Sequence, residues 1–150
     1  MEINEMTGKE CSALLERASL GRLGCSCENQ PYVVPINFAY EDGYLYAFST
    51  FGQKVKWMRA NPKVCVQMDE IQSQSEWGSV IVNGEYEELP EPQYTAERKR
   101  ASSLLAKRYH WWLNALGERQ MRIAENSIEP VFFRIRIQSV SGLSATEEQR

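Results

Sequence analysis

The chain has 150 residues, 43% hydrophobic, 25% charged and 11% aromatic, which is enough for one buried core and too little for two ordinary domains. With 20 acidic residues against 17 basic ones the formal charge is −3, so nothing in the overall electrostatics favours nucleic acid as a partner. No apolar run approaches the roughly 18 to 20 residues of a bilayer-spanning helix, and residues 1–8 lack the basic start and apolar stretch of a secretion signal. A single cytoplasmic domain (1–150) with no membrane partner is therefore expected. In that compartment Cys11, Cys25, Cys27 and Cys65 remain thiols, read as buried or half-buried small residues.

Thr7-Gly8-Lys9-Glu10 has the pattern of a capping box, and Cys11, Leu14, Leu15 and Ala18 recur at helical spacing. They predict a short helix that covers one end of a barrel. The period then changes to two. Residues 20–27, 32–40 and 44–49 read as three strands, joined by hairpin turns at Glu28-Asn29-Gln30 and Glu41-Asp42-Gly43. Such a meander is antiparallel and argues against a parallel α/β fold.

Residues 52–60 predict a second short helix with Val55, Met58 and Trp57 facing inward, ended at Asn61-Pro62 because proline disfavours helical geometry in the residue before it. Residues 64–68 resume the sheet. After a polar loop at 72–76, residues 77–89 alternate as one long strand with a bulge or bend at Gly84. Pro90-Glu91-Pro92 stops it, and from Tyr94 the spacing of Ala101, Leu104, Leu105 and Tyr109 predicts the longest helix; the cluster Glu97-Arg98-Lys99-Arg100 is read as its solvated face. Residues 110–128 fit either a helix extension or an irregular loop, with His110-Trp111-Trp112 packing a helix end or subunit interface and a lid as the alternative. Residues 131–140 alternate as a half-exposed final strand, and the remainder reads as a polar tail from about residue 143.

The chemistry concentrates in Phe48-Ser49-Thr50-Phe51-Gly52-Gln53-Lys54, where a strand ends in two hydroxyls, turns at glycine and starts a helix carrying a lysine. Free amides and the positive end of the helix dipole favour an anion there, so the segment outlines a phosphate site; the plain alternative is an ordinary helix cap with Lys54 in solvent. His110 is the sole histidine, which excludes catalytic triads and multi-histidine metal sites. Cys25 and Cys27 share one strand face with no second ligand pair following, so no metal site is expected.

Taken in order, Gly21-Arg22-Leu23-Gly24, Gln30-Pro31-Tyr32-Val33-Val34-Pro35-Ile36-Asn37, Gly52-Gln53-Lys54, Arg59-Ala60-Asn61-Pro62, the run from Trp77 through Gly84-Glu85, and Phe133-Arg134-Ile135-Arg136-Ile137 with Ser141-Gly142 resemble the pyridoxamine 5'-phosphate oxidase-like flavoproteins. The nearer likeness is to their nitroimidazole-resistance reductase branch. The resemblance implies a mainly β fold with flanking helices, an antiparallel split β-barrel, working as a homodimer with FMN in a groove between subunits. It places Tyr32, Val34, Pro35, Ile36 and Asn37 along the flavin ring, Ser49 and Thr50 at the phosphate or ribityl chain, and Lys54 on the phosphate. Trp77 and Ser79 would reach the flavin from the partner subunit. Phe48 stands where the nitroimidazole branch often carries a histidine, which removes a proton donor from that position. The basic residues and C-terminal segment of the vitamin oxidases themselves are not present, so the implied function is an FMN-dependent oxidoreductase acting on another small molecule. The alternative is a non-catalytic flavin or haem carrier on the same fold.

Overall fold

A computed structural model describes residues 1–108 and 130–148. Strand β1 (Glu2–Glu5) leads into α1 (Gly8–Arg17), β2 (Leu20–Cys27), β3 (Gln30–Asn37), β4 (Ala39–Glu41) and β5 (Tyr44–Thr50). Then follow α2 (Gln53–Ala60), β6 (Lys63–Ser73), β7 (Glu76–Glu88), α3 (Thr95–Arg108) and β8 (Pro130–Thr146). The predicted helix extension or loop at 110–128 lies outside the described residues. No helix among the described residues is long and apolar enough to cross a membrane.

Every strand pair is antiparallel, and the sheet runs β3-β2-β6-β7-β8-β5-β4 with β1 added to β8. The β2–β3 and β4–β5 hairpins turn at Glu28-Asn29 (φ 50 and 66) and Asp42-Gly43 (φ 48 and 83), the left-handed pairs whose twist suits tight two-residue hairpins. β3 and β4 are the two ends of the sheet, yet only Phe38 separates them in the chain. Its ring is fully buried and its N–H donates to Ser19 O at 3.0 Å, so the chain crosses from one sheet edge to the other through a single core residue. That crossing closes one corner of the barrel. The remaining gap between β3 and β5 carries no ladder among the described residues, and this gap is the split.

Alternation along the strands sends Leu23, Leu45, Val66, Met68, Val80, Val82, Phe133 and Ile135 into one core. α1 covers it with Cys11, Leu14 and Leu15, as its periodicity predicts, and α2 adds Val55 and Met58. Trp57, expected inward, is half-buried at the core's margin. The outer face is divided. Over β5 and the start of β8, α3 covers Tyr44, Tyr46 and Phe132 with Ala101 and Leu104. Beside them Arg134 and Arg136 pair with Glu85 and Glu87.

Four elements differ from the sequence reading, the first being β1, which the sequence reading did not contain. The strand expected at 32–40 is broken by the corner at Phe38, β6 continues past Met68 to Ser73, and the expected polar tail is strand as far as Thr146. The last has a clear cause: residues Leu143 to Thr146 pair with β1 while Ser141 to Ala145 pair with β7, so ladder hydrogen bonds on both edges hold a segment whose own pattern lacks alternation.

Gly84 sits where predicted, at a register shift between β7 and β8. A methyl group there would collide with the Arg136 carbonyl oxygen and fall 2.9 Å from Ile135 Cγ2. Because the obstruction is backbone, Gly84→Ala is expected to lower stability by about 1–3 kcal/mol, read from urea unfolding. An unchanged midpoint would show that β8 yields at the bulge.

Candidate functional site

The two helix starts are built differently. α1 begins with a full capping box: Thr7 Oγ1 accepts from Glu10 N–H at 3.2 Å, and Glu10 Oε1 accepts from Thr7 N–H at 3.1 Å. α2 begins after Gly52, with no side-chain cap and no acidic residue in its first turn. Its opening amides therefore keep their capacity for an external acceptor, and the positive end of its dipole is unopposed by a carboxylate.

β5 delivers Ser49 and Thr50 to this start, and Lys54 occupies its first turn, half-buried. Ser49 is 7% exposed and its hydroxyl donates to Thr50 O at 2.9 Å, so contact with an anion requires that proton to turn. Burial pushes the Cys25 thiol up, Cys65 and Cys27 add to the rise, and Lys54 works against them.

Across the split lies β3. Its ladder partner is β2 alone, so the backbone groups of its other edge face the gap. Tyr32 and Val34 are half-buried against the core, Ile36 is buried, Asn37 is half-buried and Pro35 is exposed. The Tyr32 ring meets Trp57 of α2 edge-on at 5.6 Å, which ties β3 to the helix that carries Lys54. The structure therefore brings β3, the end of β5 and Lys54 together.

Phe48, Trp77 and Ser79 are placed elsewhere. The Phe48 ring packs on Phe132 at 5.1 Å, on the α3 side of the sheet and opposite Ser49, because neighbouring side chains on a strand alternate. Ser49 pairs with Val131 and Trp77 with Ala145, so along β8 they stand up to about 45 Å apart at roughly 3.3 Å per residue. Ser79 Oγ accepts from Gln67 Nε2 at 3.0 Å, within an outer-face network in which Arg22 Nη1 donates to Gln67 Oε1 at 3.2 Å and to Asp69 Oδ2 at 3.4 Å.

Around that network the outer face is bare. Ile81 and Leu143 are 44% and 47% exposed, and with Trp77, Ser79 and Met6 they line an apolar groove of about 620 Å³. Contiguous exposed apolar surface is where soluble proteins commonly meet another molecule.

A cleft of about 510 Å³ adjoins the start of α2, lined in part by Phe51, Arg59, Glu88, Arg98 and Phe132. Arg59 donates to both Glu88 oxygens, at 2.8 and 3.1 Å, and lies 5.1 Å over the Phe51 ring. Arg98 lies 4.7 Å over the Phe132 ring. With a side chain only 24% exposed, Arg98 departs from the solvated face expected for its cluster. Sequence reasoning missed the cleft because its walls come from distant segments; Arg98 was visible only as a member of a charged run and Arg59 only within Arg59-Ala60-Asn61-Pro62.

Burial raises the Glu88 carboxyl, but hydrogen bonds from Arg59 and Tyr86 outweigh it and hold the group below its ordinary value. A folded-state value below the unfolded one contributes stability above the unfolded value, and that contribution is lost as pH falls through the folded one. The urea midpoint is therefore expected to fall more steeply with acid in the native protein than in Glu88→Gln. Parallel acid profiles would contradict it.

Against known proteins, residues 7–144 match the family model described as pyridoxamine 5'-phosphate oxidase. An uncharacterized protein of Rhizobium meliloti (strain 1021) is 45% identical over 113 residues, covering 75% of each chain. The crystal structure of a FAD-binding protein from Mesorhizobium loti is similar with a TM-score of 0.79 and 42% identity, over 97% of this chain and 100% of that one. A candidate 5-nitroimidazole antibiotic resistance protein from Bacteroides thetaiotaomicron shares the fold at a TM-score of 0.68 and 17% identity, over 96% of this chain and 89% of that one. The uncapped strand-to-helix junction, the split beside β3 and these matches agree: the chain belongs to the pyridoxamine 5'-phosphate oxidase family and has its split-barrel fold.

Proposed function

We propose that this chain is a cytoplasmic flavin-dependent oxidoreductase that holds an FMN unit between two protomers and acts on a small molecule. The observation that carries the reading is the start of α2, uncapped and with Lys54 in its first turn, set across the split from the open edge of β3. The donor set suits a nucleotide phosphate: amides, hydroxyls and an ammonium, with no first-turn carboxylate to repel it. The Mesorhizobium loti relative, described as FAD-binding, supports a flavin.

When bound, the flavin supplies the electron-transfer chemistry; the chain supplies orientation and seclusion. Lys54 and the α2 amides would hold the phosphate, with Ser49 and Thr50 beside it. The free backbone groups of β3 from Val34 to Asn37 would meet the polar edge of the ring. Since Trp77 and Ser79 lie far from Lys54 within one chain, a second copy would bring them to the ring, its bare face around Ile81 and Leu143 closing the groove. Ile81→Asp places a charge in that contact. It is expected to give a monomer in sedimentation equilibrium and to lower flavin affinity with it; a dimer of unchanged mass would assign the contact to another face.

One observation favours a carrier instead: apart from the Tyr32 phenol, β3 offers no ionisable side chain to move a proton. The readings separate by spectrum. Flavin bands that bleach with a reduced nicotinamide cofactor under nitrogen support the oxidoreductase, and flavin bands that persist support the carrier. A Soret band would assign haem, while a colourless protein that ignores added FMN would remove the flavin reading.

A further inference from the structure

We infer that Gln67, held in place by Arg22 and Asp69, is a positioning residue that makes the Ser79 hydroxyl a hydrogen-bond donor toward a carbonyl oxygen of the flavin ring bound by the neighbouring protomer. The inference rests on the flavin reading above and adds three residues of the outer face to its site.

Leu23, Val66, Met68 and Val80 are fully buried, so strand alternation puts Arg22, Gln67, Asp69 and Ser79 together on the opposite face. The register makes them neighbours: Arg22 stands across from Gln67, and Asp69 across from Ser79. Gln67 is the hub. Its Oε1 accepts from Arg22 Nη1 at 3.2 Å, while its Nε2 donates to Asp69 Oδ2 and to Ser79 Oγ, each at 3.0 Å. A guanidinium at one end and a carboxylate at the other fix which way the amide points, because the reverse would set its NH2 against Arg22 and its oxygen against Asp69.

That orientation decides what Ser79 can do. Its oxygen accepts from Gln67, and its own proton meets no acceptor among the described residues. Ser79 lines the apolar groove with Trp77 and Ile81, so this proton opens onto the surface that a second copy would close. Covered there without an acceptor, the hydroxyl would be costly to bury; an acceptor arriving with the neighbouring protomer satisfies it. The carbonyl oxygens of a flavin ring are such acceptors. They gain electron density when the ring is reduced, so a donor aimed at them favours the reduced form. A neutral hydroxyl does this without adding a titrating group.

The test compares Ser79→Ala, Gln67→Glu and the double variant by titration with FMN and by the reduction potential of the bound flavin. Gln67→Glu keeps the size of the side chain but replaces its donor with a carboxylate, which takes the Ser79 proton for itself. Each single variant is expected to lower the preference for reduced over oxidised flavin about tenfold, a fall of about 30 mV for two electrons. The double variant should be no worse than either, since Gln67 acts through Ser79. Ser79→Thr, which retains the hydroxyl, should recover most of the native potential. Sedimentation equilibrium and unfolding midpoints should match the native protein; loss of the dimer in Gln67→Glu would make the network an interface contact and overturn the positioning role. Unchanged potentials, or effects that add in the double variant as a distant charge alone would give, would overturn it too while leaving the flavin reading in place. A native protein that binds no flavin would overturn both.

Discussion

Lys54→Ala is expected to weaken flavin binding by about 10- to 100-fold, the equivalent of one charge-assisted hydrogen-bonded contact of ~1.5–3 kcal/mol. The uncapped amides of α2 remain in this variant, so affinity should fall without vanishing. Lys54→Arg should recover part of the loss, and raising ionic strength should weaken the native protein more than the alanine variant, because salt screens the charge removed. Lys54 is half-buried on the first turn of an exterior helix, so the unfolding midpoint should move by no more than about 1 kcal/mol. Affinity that is unchanged in Lys54→Ala would mean that the Lys54 ammonium does not hold the phosphate.

Phe38→Ala should be the most destabilising of the substitutions considered, at about 3–5 kcal/mol in urea unfolding. The side chain is fully buried, and its Cε1 presses on the site of Gly21 on β2, 3.2 Å from where a methyl would stand. It is also the single residue through which the chain passes from the β3 edge to the β4 edge. A cavity there removes core contacts and loosens the barrel corner together. Against a typical total of about 5–15 kcal/mol, the loss leaves a marginal fold. Phe38→Leu should cost much less, since it retains most of the volume. A loss below about 1 kcal/mol for the alanine variant would show that the corner is held by the ladders alone.

What the sequence discloses follows from how local each signal is. The capping box at Thr7 and Glu10, the left-handed turns at Asn29 and Asp42-Gly43, the inward Val55 and Met58, and the bend at Gly84 all rest on residues within a turn or a strand of one another. Each was legible. β1 was not: Glu2–Glu5 is an exposed tetrapeptide with one apolar residue, Ile3, and its strand depends on the edge that β8 offers. The end of β8 was lost for the same reason, and the corner at Phe38 looks in sequence like one more alternating position.

The site divides likewise. The junction from Ser49 to Lys54 is contiguous, so the strand end, the glycine turn and the helix start carrying Lys54 were readable, and the phosphate assignment proposed for it rests on that local pattern. The side of the sheet taken by the Phe48 ring depends on Phe132, and the cleft beyond Phe51 depends on Arg98, both far along the chain. Such pairings are set by the register of β5 with β8 and by the docking of α3, which no local pattern records.

The most direct test is a crystal structure of the flavin-loaded dimer. Flavin phosphate oxygens are expected within hydrogen-bonding distance of Lys54 Nζ and of the first amides of α2, with the ring lying along β3 of one protomer and under Trp77 of the other. A phosphate held away from α2, or a ring enclosed by a single chain, would contradict it.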